Sequence, residues 1–311
     1  MVVTLKELSK NKDLLSPGHR ACAGCTGSNV MRQVLLTAGP DTVVGCATGC
    51  LEVVTTIFPY TAWKTPYIHS AFENAAATIS GVETAFRALK KRGELPVPRD
   101  RINFIAFGGD GGTYDIGLQS LSGAMERGHN MLYVCYDNQA YMNTGIQRSS
   151  ATPFGAHTST APAGRVKQGK EQHRKDLTRI VAAHNIPYVA QTTPFHWKDL
   201  ATKVRKALDA DGPAFLNVLA PCTIGWHFEP DHAMEMAKLA VESNFWPLFE
   251  IENGRYTVNY QPKQRLPLEE WIKPQGRFKH LMKEGNSVMR AELQRRVDED
   301  WERLLSLSAK S

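Results

Sequence analysis

A run of five residues, Gly108-Gly-Asp-Gly-Gly112, constrains the fold of this 311-residue chain more than any other segment. A short, β-prone apolar run ends just before it at Phe107, and residues 116–125 after it carry apolar side chains at helical spacing. A second apolar run, 131–136, leads into Asp137-Asn138. Strand, glycine turn, helix and strand in this succession form the unit of a parallel sheet, so the sequence predicts an open α/β fold.

The polar residues of this unit indicate a diphosphate that is bound through a metal ion. Glycines let the backbone approach a phosphate closely, and a helix N-terminus favours its negative charge. Asp110 offers a carboxylate oxygen, Asn138 an amide oxygen and the backbone near Ala140 a carbonyl, which is a set that suits Mg²⁺. Turn residues at a strand end would explain Gly-Asp-Gly by itself. The Asn at the next strand end, with 26 residues between it and Gly111, favours the functional interpretation.

Four of the six cysteines lie within the first fifty residues. Cys22 and Cys25 form a Cys-x-x-Cys pair, in which two thiolates from one tight turn can reach a metal. The spacing allows a zinc site made by Cys22, Cys25, Cys46 and Cys50, or a [4Fe–4S] cluster that takes three of these and one distant cysteine. A redox dithiol is a third interpretation, but no thioredoxin-like context surrounds the pair. Cys135, inside an apolar run, is predicted to be a buried core thiol.

Composition and charge narrow the class of protein. The net charge of +6 comes from 37 basic and 31 acidic residues that are dispersed along the chain, so nucleic acid is not indicated. Residues 1–15 carry charges throughout, and no apolar run approaches the roughly 20 residues that a membrane helix needs. Six cysteines are too sparse for a disulfide scaffold. We therefore expect a cytoplasmic protein that does not span a membrane.

The remaining patterns predict three regions: an N-terminal metal-ligand segment (1–50), an α/β domain (51–229) and a C-terminal arm (230–311) that packs on neighbouring subunits. Helices are predicted over 28–37, 69–91, 175–183, 197–209 and 287–305, strands over 41–45, 187–191 and 214–219, and loop or extended chain over 51–68. The polar segment 139–172 follows the strand end that carries Asn138. Ligands lie beyond the carboxyl ends of strands in such sheets, so this long loop is predicted to be functional.

Several segments resemble one enzyme family. Gly109-Asp110-Gly111 followed by Asn138 is similar to the thiamine diphosphate motif. The string DNQAYMNTGIQRSSATPFGA (137–156) resembles the β subunits of 2-oxoacid:ferredoxin oxidoreductases. The segments HRACAGC (19–25), ATGC (47–50) and PCTIGW (221–226) resemble those that carry the four cluster ligands in these subunits.

The resemblance implies a diphosphate-binding domain of the thiamine diphosphate type, with residues assigned by motif match. One [4Fe–4S] cluster would be held by Cys22, Cys25, Cys50 and Cys222. Mg²⁺ would be held by Asp110, Asn138 and the Ala140 carbonyl. The implied cofactor-binding residues are Cys50, Gly109, Asp110, Gly111, Gly112, Asn138, Ala140, Met142, Asn143 and Thr144, with Asn143 at the active centre. The chain departs from the family pattern at Thr26, usually Gly, and at Cys46, usually Asn or another residue that is not a ligand.

The activity that the resemblance implies is the decarboxylation of a 2-oxoacid, with pyruvate as the default substrate and oxalate as an alternative. Electrons would leave one at a time through the cluster to ferredoxin, and in most of the family coenzyme A takes the acyl group. A separate pyrimidine-domain subunit would supply the Glu that activates thiamine, and a small ferredoxin-like subunit would hold further [4Fe–4S] clusters. The chain alone is therefore expected to be inactive.

Two other hypotheses remain from the sequence. One is a thiamine-dependent decarboxylase without iron, which would not need the four cysteines and would normally carry its pyrimidine domain in the same chain. The other is a zinc-stabilised α/β binding module whose glycine loop holds another nucleotide.

Overall fold

An eight-stranded sheet forms the centre of the computed structural model, which describes residues 3–96 and 99–310. The strands are β1 (Thr42–Ala47), β2 (Tyr67–Ser70), β3 (Asn103–Gly109), β4 (Leu132–Asp137), β5 (Tyr188–Thr192), β6 (Ala214–Leu219), β7 (Phe249–Glu252) and β8 (Arg255–Val258). Their order across the sheet is β2-β1-β3-β4-β6-β5-β7-β8. Every pair among β1 to β6 is parallel, whereas β7 and β8 add an antiparallel edge. The predicted α/β fold with a mainly parallel sheet is confirmed.

Helices cover both faces of this sheet. They are α1 (Leu5–Leu8), α2 (Thr26–Ala38), α3 (Cys50–Thr55), α4 (Ala75–Arg92), α5 (Leu118–Glu126), α6 (Leu177–Ala182), α7 (Trp197–Asp209), α8 (Thr223–Trp226), α9 (Ala233–Glu242), α10 (Leu268–Ile272) and α11 (Ser287–Ala309). A π-helical turn spans Gly111–Ile116, and short 3₁₀ turns span Pro230–His232, Gly276–Met282 and Glu284–Asn286. No helix in the described ranges is both long and apolar enough to cross a membrane.

Strand β3 shows how the sheet divides the core. Ile105 and Phe107 point into a cluster that includes side chains of α2 and α7, whereas Phe104 and Ala106 point into a cluster with side chains of α4 and α5. A strand that is buried on both faces reads as a continuous apolar run rather than an alternating one. This burial explains why the glycine motif follows an uninterrupted apolar stretch.

The C-terminal region contributes to the sheet as well as to its surroundings. Strands β7 and β8 extend the sheet beyond β5, and α11 buries Leu304 in the same cluster as β3 and β4. Trp226, Trp246 and Trp271 belong to a third apolar cluster that is largely C-terminal. The sheet thus continues across both predicted region boundaries, since β1 lies before residue 51 and β7 after residue 229.

The largest errors of the sequence prediction fall between residues 50 and 75. The segment 51–68 was predicted as loop, but its first residues form α3, and the predicted helix from residue 69 begins instead at Ala75, after the edge strand β2. The β-branched residues of α3, Val53, Val54 and Thr55, are poor helix formers in isolation. Tertiary contacts override that tendency here, because the Trp63 indole N–H donates to Thr55 Oγ1 at 2.8 Å.

Candidate functional site

Four neighbouring strands deliver the candidate ligands to one edge of the sheet. Cys50 follows β1, Asp110 follows β3, Asn138 follows β4 and Cys222 follows β6, and these strands are adjacent in that order. Because β2 pairs with one side of β1 and β3 with the other, the chain changes direction at this point. Crevices at such switch points are where open α/β sheets bind ligands.

Three oxygens converge at the ends of β3 and β4. The Asn138 side-chain oxygen lies 2.8 Å from Asp110 Oδ1 and 2.9 Å from the Ala140 carbonyl oxygen. Three acceptors without a hydrogen between them repel one another unless a cation lies among them. Adjacent ligands of an octahedral Mg²⁺, at about 2.0–2.1 Å from the metal, are about 2.9 Å apart. The set therefore fits Mg²⁺, whereas in a metal-free chain the amide can rotate so that its nitrogen donates to both oxygens.

Asp110 is only 1% exposed and is held on both of its oxygens. The Ser149 hydroxyl donates to Oδ2 at 2.5 Å, and the Asn138 backbone N–H donates to Oδ1 at 3.2 Å. Burial, followed by the nearby Asp137 carboxylate, raises the pKa of Asp110 well above its usual value. A divalent cation at these oxygens would oppose that effect and keep the carboxylate ionised. Ser149 was not among the predicted site residues, because only the folded loop returns it to the motif.

The turn after β4 has an unusual backbone at Gln139, between two of the converging oxygens. Its φ is +69°, in the left-handed region that costs a non-glycine residue roughly 1–2 kcal/mol. Two bonds hold it there: its N–H donates to Asp137 Oδ1 at 3.1 Å, and its carbonyl accepts from the Thr152 hydroxyl at 2.6 Å. Asp137 is itself fixed by Arg174 at 2.7 Å. This turn aims Asn138 and the Ala140 carbonyl at the same point.

A cavity of about 210 Å³ opens beside these oxygens. It is lined by Thr48, Gly49, Cys50, Phe72, Gly109, Asp110, Gly111, Tyr136, Asn138, Ala140, Tyr141, Met142, Asn143 and Thr144. Every predicted cofactor-binding residue is in this lining except Gly112, which packs one position further on against the Phe72 carbonyl. A Cβ on Gly111 would lie 2.6 Å from the Tyr141 ring, so this position accepts only glycine without rearrangement.

The sequence did not predict five residues of this cavity: Thr48, Gly49, Phe72, Tyr136 and Tyr141. Thr48 and Gly49 lie within the recognised segment 47–50 and Tyr141 within 137–156, so their position in these segments was the available signal. Phe72 comes from the loop before α4, which was predicted as helix, and nothing local marks it.

A second cavity, of about 230 Å³, adjoins the first. The four predicted cluster cysteines all line it: Cys22, Cys25, Cys50 and Cys222. The two cavities share the residues Cys50, Tyr136, Asn138, Met142 and Asn143. Cys46 is fully buried in β1, within the core that includes α2 and α7, and is not part of this lining. The structure therefore does not bring Cys46 together with the other three cysteines of the alternative zinc set. Cys135 is fully buried, which confirms its prediction as a core thiol.

Two distant segments meet to form this cavity. The Thr26 hydroxyl donates to the Pro221 carbonyl at 2.8 Å, and the Thr223 hydroxyl donates to the Ala23 carbonyl at 3.2 Å. Gly24, in the turn between the paired cysteines, has φ +69°, and a Cβ there would lie 2.5 Å from the Pro230 carbonyl oxygen. Thr26, where the family usually has glycine, thus joins the N-terminal pair to the segment of Cys222.

The thiols are strongly desolvated. Burial, followed by the neighbouring cysteines, raises the pKa of Cys50 to about 12, and burial also raises the pKa of Cys222 to about 11 and that of Cys25. Metal binding would deprotonate such thiols.

The spacing of the thiols bears on which metal group they can hold. Within residues 3–96 and 99–310, no three His, Cys, Asp or Glu side chains gather closely enough to hold one metal ion. A zinc site needs all four sulfurs about 2.3 Å from a single atom, whereas each cysteine of a [4Fe–4S] cluster binds a different iron. Four cysteines around one cavity therefore fit a cluster better than a single ion.

The chain is similar to several known proteins. Residues 44–218 match the family model of the thiamine pyrophosphate enzyme C-terminal TPP binding domain. Pyruvate synthase subunit PorB of Thermotoga maritima is 51% identical over 99% of this chain and 97% of its own length. PorB of Methanocaldococcus jannaschii is 54% identical over 88% of this chain and 91% of its own length. Ketoisovalerate oxidoreductase subunit VorB of Pyrococcus abyssi is 45% identical over 94% of this chain and 92% of its own length.

A solved structure shows the same fold. A chain of the 2-oxoglutarate:ferredoxin oxidoreductase from Magnetococcus marinus aligns with a TM-score of 0.55 and 20% identity over 75% of this chain and 80% of that chain. The family model covers the sheet from β1 to β6, and the PorB relatives cover almost the whole sequence. The chain therefore belongs to the β subunits of the 2-oxoacid:ferredoxin oxidoreductases, thiamine diphosphate enzymes that act with partner subunits.

Proposed function

We propose that this chain holds thiamine diphosphate through Mg²⁺, carries one [4Fe–4S] cluster, and oxidises pyruvate by decarboxylation within a multi-subunit enzyme that reduces ferredoxin. The observation that supports this most is the common wall of the two cavities. Cys50, Asn138 and Asn143 line both the cavity of the oxygen set and that of the four cysteines. An electron released beside the diphosphate site would cross only this wall to reach a cluster.

Each side chain has a separate task in this proposal. Asp110, Asn138 and the Ala140 carbonyl hold the metal, and the glycine turn lets the diphosphate approach the backbone. Asn143 is exposed on the common wall, and its side chain has no hydrogen-bond partner in the described part of the chain, so its amide is free to bind substrate. When bound, thiamine diphosphate supplies the nucleophilic carbon and the electron sink for decarboxylation.

Pyruvate is the proposed substrate because the two relatives with the higher identities given above, 51% and 54%, are named pyruvate synthase subunits. A relative named for ketoisovalerate has a similar identity of 45%, so branched 2-oxoacids are the first competitors to test. Oxalate is a further one, since its cleavage needs no acyl acceptor. The proposed partners are a pyrimidine-domain subunit that supplies the activating Glu, a ferredoxin-like [4Fe–4S] subunit, ferredoxin itself and coenzyme A as acyl acceptor.

The test is anaerobic purification of the chain with its native partner subunits, followed by iron, zinc and thiamine analysis. We expect bound thiamine diphosphate and about four irons per cluster. Alanine at Cys22, Cys25 or Cys222 should remove the iron that this chain contributes, whereas Cys46→Ala is the matched control and should retain it. A colourless chain with one zinc and no thiamine would contradict the proposal.

A substrate screen then separates the possible activities. Dye reduction is measured with pyruvate, 2-oxoisovalerate and oxalate, each with and without coenzyme A. The highest kcat/KM is expected with pyruvate and coenzyme A together. If only oxalate supports dye reduction, and the rate is the same with and without coenzyme A, oxalate is the substrate instead of pyruvate.

A further inference from the structure

Arg277 is a buried cation without a carboxylate partner. Its side chain is 2% exposed, and none of the ion pairs within residues 3–96 and 99–310 includes it. Its Nε donates to Gln275 Oε1 at 2.8 Å and its Nη2 donates to Gln139 Oε1 at 2.7 Å. Two neutral amides satisfy hydrogen bonds but do not balance a charge, and a buried charge normally requires a partner of opposite sign.

Trp226 connects the guanidinium to residues that line the two cavities. The guanidinium stacks over the Trp226 ring at 3.8 Å from the centroid, and the Trp226 indole N–H donates to the Asn138 carbonyl at 2.8 Å. Trp226 ends the short helix α8 that begins after Cys222, and its backbone N–H donates to the Cys222 carbonyl at 2.9 Å. Through one ring, Arg277 is therefore connected to a metal-site residue and to a proposed cluster ligand.

The groups that can carry negative charge near Arg277 belong to the two sites. Burial lowers the pKa of Arg277 well below its usual value, and the groups whose negative charge would oppose this are Cys222 first, then Asp137 and Asp110. Neither aspartate forms an ion pair with Arg277, and Asp137 is paired with Arg174 instead. A cluster on four thiolates would add anionic charge on the Cys222 side, and that charge grows by one when the cluster is reduced. The site would then supply the counter-charge that the described residues lack.

We propose that Arg277 is the fixed counter-charge of the iron–sulfur cluster and raises its reduction potential. This inference rests on the proposed function, since it requires the cluster on Cys22, Cys25, Cys50 and Cys222. The cation does not touch the cluster. It acts through its field across Trp226, and it stabilises the reduced state more than the oxidised state because the reduced state carries one more negative charge.

The experiment is a redox titration of the assembled enzyme, followed by electron paramagnetic resonance. Arg277→Met keeps an unbranched side chain in place of the arginine stem but removes the charge. We expect at least a tenfold shift of the cluster's redox equilibrium toward the oxidised form, equivalent to a midpoint about 59 mV lower. Arg277→Lys keeps the charge and loses the planar stacking and the fork of hydrogen bonds, so its midpoint should stay near that of the wild type.

Arg296→Met is the matched control. Arg296 also stacks on an aromatic ring, 4.3 Å from the Phe154 centroid, but it is paired with Glu292. Its replacement should leave the midpoint unchanged. If Arg277→Met fails to assemble, Arg277→Gln takes its place with the same expected shift.

Two results would overturn the inference. One is a wild-type midpoint in the uncharged variant. The other is an equal shift in Arg277→Lys and Arg277→Met, which would mean that packing rather than charge matters. An enzyme in which this chain contributes no iron would instead contradict the proposed function, so the two failures are distinguishable.

Discussion

At the scale of single residues, the oxygens of Asp110, Asn138 and Ala140 carry the most specific chemistry of the chain. Their separations of 2.8 and 2.9 Å match adjacent ligands of an octahedral ion. Before any ion binds, Ser149 holds the Asp110 carboxylate and the left-handed Gln139 directs the Ala140 carbonyl, whereas the Asn138 amide can still rotate. The proposed metal site is thus partly preorganised, and removing the Asp110 carboxylate should affect binding more than folding.

Replacement of Asp110 by Asn should weaken thiamine diphosphate binding in the presence of Mg²⁺ by at least tenfold, equivalent to about 1.4 kcal/mol. The variant loses the charge that attracts the ion but keeps an oxygen that can accept from Ser149. Equilibrium dialysis of the assembled enzyme measures the loss. Asp115→Asn is the control, because Asp115 accepts from the Ser150 N–H at 2.9 Å and lies outside the oxygen set. Equal losses in both variants would show that the effect is not specific to the metal site.

Lys170 offers a pH-dependent test of the loop that supports the site. Its ammonium group is buried against three carbonyls, the closest that of Thr152 at 2.6 Å, and burial followed by Arg148 lowers its pKa to about 7. The unfolded chain, with an ordinary lysine, then binds more protons than the folded chain between about pH 7 and pH 10.4. Stability from this group therefore rises with pH across that window.

We expect the stability difference between wild type and Lys170→Met to move in favour of the wild type by at least about 1 kcal/mol from pH 7 to pH 9, the equivalent of one pKa unit. Denaturant midpoints at several pH values measure it. Lys206→Met is the control, because hydrogen bonds to Glu250 and Glu252 raise the pKa of Lys206 against the effect of burial. Its contribution should be constant over the same range, and a flat difference for Lys170→Met would refute the prediction.

At the scale of elements, the turn that carries Cys22 and Cys25 depends on a close backbone approach. Gly24→Ala should destabilise the protein by more than the roughly 1–2 kcal/mol of a left-handed alanine, because the new methyl meets the Pro230 carbonyl at 2.5 Å. Gly93→Ala is the matched control: its φ is also +69°, but nothing lies within 4 Å of the added carbon. Thermal melting compares them, and equal losses would mean that the contact with Pro230 relaxes at no cost.

Helix α7 and the central strand β6 were the easiest elements to predict from sequence, and their predicted bounds coincide with the structure. The pattern of α7 is clearly amphipathic and that of β6 is continuously apolar, so neither segment has a competing interpretation. Helix α3 was missed because Val53, Val54 and Thr55 favour strands locally, and the contact with Trp63 that holds the helix comes from eight residues further on. Local propensity is informative where packing agrees with it.

Some residues of the site could be predicted from local sequence, and others could not. The glycine turn and Asn138 are recognisable because each lies at the end of an apolar strand, and the end of a parallel strand has a known place in the fold. Ser149 and Arg277 are not recognisable, since they reach the motif from 39 and 138 residues away from their respective partners. The exclusion of Cys46 required the structure too, because only strand β1 reveals which way its side chain points.

At the scale of the whole molecule, the cavity of about 210 Å³ is incomplete as a thiamine diphosphate site. Among the residues that the structure describes, Asp110 is the only carboxylate in its lining, and in the proposed site this carboxylate holds the metal. Under the proposed function, the second carboxylate that a thiamine enzyme needs on the pyrimidine ring would come from a partner subunit, and this α/β domain would provide the diphosphate half of the site.

We therefore expect the isolated chain to show no pyruvate-dependent dye reduction, with activity restored when the partner subunits are added back. Both states are measured anaerobically on the same preparation, with its iron content determined first, so that loss of metal does not imitate loss of activity. Turnover by the chain alone would contradict this expectation.

The order of the strands also has a consequence for how the chain is made. Strand β6 lies between β4 and β5 in the sheet, although β5 precedes β6 in the sequence. The ribosome therefore synthesises β5 before β6, the strand that joins β5 to β4, has been made. Until residue 219 has been added, one edge of β4, a strand without an exposed residue in the finished protein, stays unpaired. An open apolar edge is prone to aggregate, so we expect the yield of folded chain to depend on how quickly β6 pairs with this edge.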